Sequence, residues 1–361
     1  MRNSPFAHVG DALGALLWGR GGDVEDDRRR LMPEEGDPHE RTWMAFGASE
    51  EVWGRRLLPE ARRSLATIAR TIARFEPVSM LVRPDEIDLA RHFLGDAPVD
   101  IVAAPLDDLW LRDTGPVFVK GEGAKVGVDF NFNGWGRKQG HGRDRKVAGL
   151  VARRAGVGAL RTDLVLEGGA VEVDGEGTAI ITESCVLNRN RNRGWKKRDV
   201  EEELQYLLGI EKIIWLPGIA GYDITDGHTD FYARFARPGV VVAGLDTDPR
   251  SFDYDVTRRH LDVLNAATDA HGRPLRVEVI EGPSTVRPGY ESDDFAAGYI
   301  NFYVCNGAVI APEFGDLEGD SAARHTLERL FPGRQVVQID IDGIAAGGGG
   351  IHCTTQQEPV G

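Results

Sequence analysis

The sequence predicts an α/β protein, and three observations carry that reading. β-rich runs alternate with amphipathic helical segments along most of the 361 residues. The alternation recurs roughly five times, about every 50–90 residues, as it would in an array of similar units. Neither a G-x-G-x-x-G turn opening a helix after a strand nor a G-x-x-x-x-G-K-[ST] loop is present, which disfavours dinucleotide and P-loop folds. These observations leave two arrangements open: a doubly wound sheet, the default, and a closed pseudo-symmetric ring of units.

Taken in order, the first element is a helix over about Trp53–Phe75. Leu58, Ala61, Leu65, Ile68, Ala69 and Ile72 fall there at helical spacing. Val78–Val82 follows as a strand bounded by Pro84. Further helices are expected at Arg143–Ala155, Val200–Leu208, Tyr254–Asp269 and Ser321–Phe331. β-rich runs succeed them at Leu164–Val173, Lys212–Leu216, Leu275–Ile280 and Gln335–Ile341. Residues 1–31 lack periodicity and end in the charged run Asp23–Arg30, so they read as a mobile N-terminal extension. Residues 32–361 carry no linker and read as a single catalytic domain.

Composition narrows the function. The net charge is −14 and the basic residues are scattered, a poor match to nucleic acid. Hydrophobic residues make up 41%, ordinary for a globular chain, and no apolar run is long enough to span a bilayer. With no signal peptide legible, a cytoplasmic address is expected. Three cysteines without close spacing argue against a disulfide framework or a cysteine zinc site. Cys185 and Cys305 lie in strand-like runs and read as packed core thiols.

Cys353 is different. It follows four glycines in Gly347–Pro359, GGGGIHCTTQQEP, where positive φ angles and close backbone approach to a ligand become available. Three other segments combine reactive side chains with turn residues. Asp226–Phe235, DGHTDFYARF, puts His228 and Asp230 on one face if extended. No further histidines or carboxylates at ligand spacing favour a metal there. Leu166–Thr178, LEGGAVEVDGEGT, places Glu167 at the end of an apolar run, with Asp174-Gly175 as a hairpin turn. Asp108–Phe118, DLWLRDTGPVF, sets Trp110, Arg112 and Asp113 in a tight loop. An adjacent Arg-Asp pair is ordinarily a surface pair of little energetic worth, but the aromatic and turn neighbours favour Asp113 facing a cationic ligand. One thiol, one imidazole and three carboxylates would repel an anionic substrate. They suit a planar cation whose N–H groups pair with carboxylates, such as a guanidinium.

These segments resemble those of the agmatine deiminases, within the guanidine-modifying superfamily that includes peptidylarginine deiminases. The likeness runs from about Met32 to the C-terminus. It takes in Met32-Pro33-Glu34, Pro38-His39, Thr42-Trp43-Met44, Trp110–Pro116, Phe132–Gly136, Leu166–Gly169, Gly227–Asp230 and Gly348–Pro359. The resemblance implies a five-bladed α/β-propeller of ββαβ units, with no cofactor and no metal. It implies that Cys353 attacks the guanidinium carbon, that Asp113 and Asp230 hold its nitrogens and that His228 transfers protons. Glu167 would bind the guanidinium or keep the imidazole protonated. Trp110, Asp223 and Gly350 complete the expected substrate contacts, and Asp223 or Asp226 would meet an amine tail. His352, extended, would point away from the site.

Two departures from the family pattern affect the substrate. Gly36 stands where a bulky residue usually follows Pro-x-Glu, and Ile224-Thr225 stand where an acid often precedes Gly-His-x-Asp. The expected partner is a small cationic guanidino compound, most simply agmatine. Another guanidino substrate such as arginine or peptidyl-arginine, amidine transfer, and metal-dependent hydrolysis remain as alternatives, and a homo-oligomer is left open.

Overall fold

A computed structural model describes residues 30–121, 124–292 and 294–361. Most of the expected extension therefore lies outside the described residues. From Leu31 onward the chain is tied down: Leu31 bridges Lys120, and Met32 N donates to Leu208 O at 2.9 Å.

Five small mixed sheets replace any continuous doubly wound sheet. β1 (His39–Phe46), β2 (Val78–Val82) and β3 (Val99–Ala103) are parallel, linked by α1 (Glu50–Ile72) and α2 (Ile87–Leu94). The next sheet joins β4 (Val117–Gly121), β5 (Ala124–Asp129) and β6 (Gly158–Arg161), with α3 (Val147–Arg154) before β6. β7 (Val171–Val173), β8 (Thr178–Thr182) and β9 (Lys212–Leu216) follow, with α4 (Lys197–Leu208) crossing over. The same order recurs in β10 (Ala233–Arg237), β11 (Val240–Leu245), α5 (Tyr254–Ala266) and β12 (Arg276–Glu281). It recurs again in β13 (Tyr303–Cys305), β14 (Ala308–Glu313), α6 (Leu317–Leu330) and β15 (Gln335–Asp340). β16 (Thr355–Pro359) then pairs antiparallel with β1.

Each unit is thus an antiparallel pair followed by a helical crossover to a parallel strand, the connection a parallel neighbour requires. Antiparallel β16–β1, then α1, then parallel β2 repeats that order across the two ends of the described chain. Apolar faces of helix and sheet bury one another: Leu65, Ile68 and Ile72 of α1 have no exposed surface and share a core with Met80 and Ile310.

Two sequence expectations are corrected. Leu164–Val173 is not one strand: Leu164–Glu167 is irregular, a 3₁₀ turn covers Gly168–Ala170, and only Val171–Val173 joins a sheet. Two adjacent glycines withdraw side chains from the ladder, and the crossover strand is instead Gly158–Arg161. Cys185 lies in a single helical turn, Glu183–Val186, while Cys305 is in β13 as expected. No helix among the described residues is long and apolar enough to cross a membrane.

Candidate active site

The reactive segments meet where the strands give way to turns. Cys353 sits in a 3₁₀ turn, His352–Thr354, just before β16. Its Sγ lies 3.6 Å from Asp230 Oδ2 and accepts from Asn301 Nδ2 at 3.3 Å. His228 and Asp230 are not in an extended segment: a 3₁₀ turn over Thr229–Phe231 carries Asp230, with His228 capping it. The two are brought together by that turn and not by strand alternation. His228 Nε2 is 3.4 Å from Glu167 Oε2, and its Nδ1 is 3.8 Å from Asp113 Oδ1.

Asp113 belongs to the helical turn Leu111–Thr114. Gly169 N donates to its Oδ1 at 3.1 Å and Trp135 Nε1 to its Oδ2 at 2.8 Å. Asp230 has one oxygen engaged, Oδ2 with His352 Nδ1 at 2.7 Å, whereas Oδ1 has no hydrogen-bond partner among the described residues. At 1% exposure that oxygen is an unmet acceptor, which a buried polar atom carries only at a cost. Glu167, fully buried, accepts Arg191 Nε on both oxygens at 2.9 Å.

A cavity of about 160 Å³ opens onto this group. Trp110, Asp113, His228 and Cys353 line it, together with Trp53, Asp108, Ile224, Phe231 and Gly347–Gly349. Asp230, Glu167, Gly350 and Asp223 are not among its lining residues, so Asp230 sits behind Cys353 and His228. The Asp223 carboxylate accepts from the Thr225 backbone N at 2.6 Å and from the Thr225 hydroxyl. The glycine run has a reason beyond flexibility. Only Gly348 has a positive φ, 86°. A Cβ on Gly347 would come within 2.1 Å of the Trp53 ring, one on Gly349 within 2.3 Å of Trp110, and one on Gly350 within 2.4 Å of Asn301.

Electrostatics fit a thiol that waits for a cation. Burial, then Asp230 and Asp113, push the Cys353 thiol well above its ordinary value. Burial alone would lower the His228 imidazole, but Asp113 and Glu167 raise it well above the usual histidine range. Burial, with Asp230 and Glu167, raises Asp113, partly offset by His228. At Asp230 burial pulls upward, yet His352 and His228 leave it lowered. At Glu167 burial is likewise outweighed, chiefly by Arg191.

Sequence reasoning missed the support behind these groups. Arg112 does not pair with Asp113: it is buried, and its Nη2 donates to Glu35 Oε2 at 3.0 Å. His352, on a turn instead of an extended strand, faces the site, with Nε2 2.8 Å from Glu35 Oε2. Arg234 donates to Glu35 Oε1 and Glu172 Oε2, each at 2.8 Å. These partners are distant in sequence, so only their membership of reactive-looking segments could have marked them. Cys185 is packed as expected, but beside the site, 3.6 Å from Glu167 Oε2. Glu167, Cys185 and His228 each bring a metal-ligand atom within 4.8 Å of the others. A cation there would meet the Arg191 guanidinium already donating to both Glu167 oxygens.

Gly169 tests the geometry. A Cβ there would stand 2.7 Å from His228 Nδ1 and 3.0 Å from both Asp113 Oδ1 and Asp230 Oδ2. Gly169→Ala should displace the imidazole from the carboxylates and lower kcat/KM by about 100-fold. Ammonia release at the wild-type rate would show that these contacts do not set the geometry.

Comparison with known proteins follows the same path. The Porphyromonas-type peptidyl-arginine deiminase family matches residues 31–359. A Streptomyces coelicolor protein provisionally named agmatine deiminase is 45% identical over 338 residues, covering 91% of this chain and 98% of the relative. The agmatine deiminase of Pseudomonas aeruginosa is 39% identical over 352 residues, covering 91% and 95%. The solved structure of Enterococcus faecalis agmatine deiminase superposes with a TM-score of 0.84 at 32% identity, covering 92% of this chain and 96% of that one. The chain belongs to the Porphyromonas-type peptidyl-arginine deiminase family, and within it to the agmatine deiminases.

Proposed function

We propose that this protein hydrolyses agmatine to N-carbamoylputrescine and ammonia through a Cys353-linked thiouronium. The observation that carries the reading is the Asp230 carboxylate, buried beside Cys353 Sγ with Oδ1 lacking a donor. A guanidinium carbon brought to the sulfur would place an N–H on that oxygen and another toward Asp113. The cation would lower the thiol pKa, and the thiol proton would pass to solvent as the thiolate forms. Attack makes the S–C bond. His228 imidazolium protonates the departing nitrogen, and ammonia leaves. Neutral His228 then takes a proton from water, whose oxygen attacks the thiouronium carbon; the C–S bond breaks, the hydroxyl proton passes to solvent as the C=O forms, and the ureido product departs. Glu167, with both oxygens on Arg191, acts on the imidazole in this reading and not on the substrate.

The cavity favours a small free amine over arginine or a peptide. Its volume, about 160 Å³, is well below the roughly 300–1,000 Å³ of sites for drug-sized ligands. Trp53, Leu57, Ile224 and Phe231 suit a methylene chain. No Lys or Arg lines the cavity to receive an α-carboxylate, while Asp108 supplies an anion for an amine tail. Asp108 thus takes the place first expected of Asp223 or Asp226. We read the five repeated units, with the pair β16–β1 spanning the described ends, as a five-bladed propeller. Residues 32–361 form one catalytic domain on this reading.

The test is ammonia release across agmatine, arginine, a peptidyl-arginine and an alkylguanidine without the amine. Agmatine should be turned over with the highest kcat/KM, and Asp108→Asn should erase its advantage over the alkylguanidine mainly through KM. Preference for arginine would overturn the substrate, and loss of activity to a chelator with recovery on zinc would overturn the mechanism.

A further inference from the structure

The charge of this chain is unevenly placed. Although the net charge is −14, a second cavity of about 620 Å³ is walled by Arg137, Arg145, Arg189 and Arg193, with His141 beside them. Among the described residues no Asp or Glu lines it. The four guanidinium groups make no ion pair or side-chain hydrogen bond among the described residues, although ion pairs are abundant elsewhere on the chain. Arg191 also reaches this wall, but it is engaged with Glu167, Asn190, Asp226 and the Thr225 carbonyl. Its charge is met by those two carboxylates, so the positive character of the wall comes from the other four arginines.

The four arginines are solvent-exposed, so their mutual repulsion is screened, yet together they raise the potential in the concavity, which an anion would meet. The backbone carries a cost of its own. Asn131 and Arg137, both on the wall, have φ of 57° and 67°, and Trp135 between them has 52°. Trp135 serves the other cavity, where its indole donates to Asp113, and asparagine adopts this region readily, but Arg137 on the wall is held against its preference, as ligand clamps often are. The fork of a guanidinium matches phosphate oxygens, and four such forks exceed the needs of a monoanion.

We propose that this cavity binds a polyphosphate group, either free or carried on a nucleotide. It is separate from the cavity at Cys353, with no lining residue in common.

The test is calorimetric titration of the full-length enzyme with inorganic phosphate, inorganic pyrophosphate and ATP. Pyrophosphate should bind more tightly than phosphate and lose affinity with added salt. ATP binding more tightly than pyrophosphate would assign a nucleotide, and equal affinities would assign the polyphosphate alone. Arg145→Gln/Arg193→Gln should weaken pyrophosphate binding by about tenfold or more. Arg189→Gln provides the same reading should the double variant fold poorly. Absence of pyrophosphate binding, or affinity unchanged in both variants, would overturn the proposal. So would a double variant that converts a wild-type oligomer into monomers with no pyrophosphate effect, since a second copy would then be the occupant.

Discussion

Cys353→Ala should release no measurable ammonia from agmatine, a loss on the order of 10⁴-fold or more, the scale at which removing a nucleophile acts. Binding of agmatine should persist, because Asp113, Asp230 and the apolar walls remain. The wild-type pH profile should follow from the same thiol. Burial and two flanking carboxylates hold the Cys353 thiol well above its ordinary value, so at neutral pH the free enzyme carries the protonated form. Each unit of pH then raises the thiolate fraction about tenfold, and kcat/KM should climb from neutral into alkaline solution. Because the His228 imidazole is also raised, its acid form survives into that range. In the complex the substrate's charge assists the thiolate, so kcat should vary less with pH than kcat/KM. Alkylation of Cys353 followed against pH, with and without a cationic inhibitor, checks the cause. An identical profile in both would contradict it, and residual hydrolysis by the alanine variant would refute covalent catalysis.

Glu35→Gln should cost about 3–5 kcal/mol of unfolding free energy, the usual penalty for removing one partner of a buried charge network. The carboxylate takes Arg234 Nη2 and Val304 N on Oε1, and Arg112 Nη2 and His352 Nε2 on Oε2. An amide oxygen can serve one pair, but the amide NH₂ must then face donors. Burial would raise the Glu35 carboxyl, yet Arg234, His352 and Arg112 together hold it well below 4.5. A depressed folded value stabilises the protein fully above the unfolded value of about 4.3 and loses that contribution as pH falls through the folded one. The deficit of the variant should therefore be full at neutral pH and shrink below about pH 4. Urea unfolding at several pH values measures it, and a deficit independent of pH would remove the charge network as its source. Activity should fall too, through His352, which leans on Asp230 at 2.7 Å.

Repetition and reactive motifs were legible in the sequence because both are local. Helical periodicity located α1 to within a few residues, at Glu50–Ile72 against an expected Trp53–Phe75. Short turns were not legible: the sequence reads His228-Thr229-Asp230 and His352-Cys353 as extended, since one 3₁₀ turn leaves no periodic trace. That difference reverses the reading of His352, which faces the site. Asn301, Arg191 and Arg234 stayed invisible because burial and charge pairing at long range depend on which units become neighbours. The scattered basic residues were likewise read one at a time, and the fold gathers four of them around one cavity.

The pairing of β16 with β1 joins the first and last described strands in one sheet. Without residues 355–359, β1 would keep an open antiparallel edge, the kind of surface that invites pairing with another chain. Cys353 arrives immediately before that strand, and its turn is held between Asn301 and the finished edge. Removal of residues 355–359 would leave Cys353 in the chain, but its turn would lose the strand that anchors it. Closure of the first sheet and placement of Cys353 are therefore one structural event.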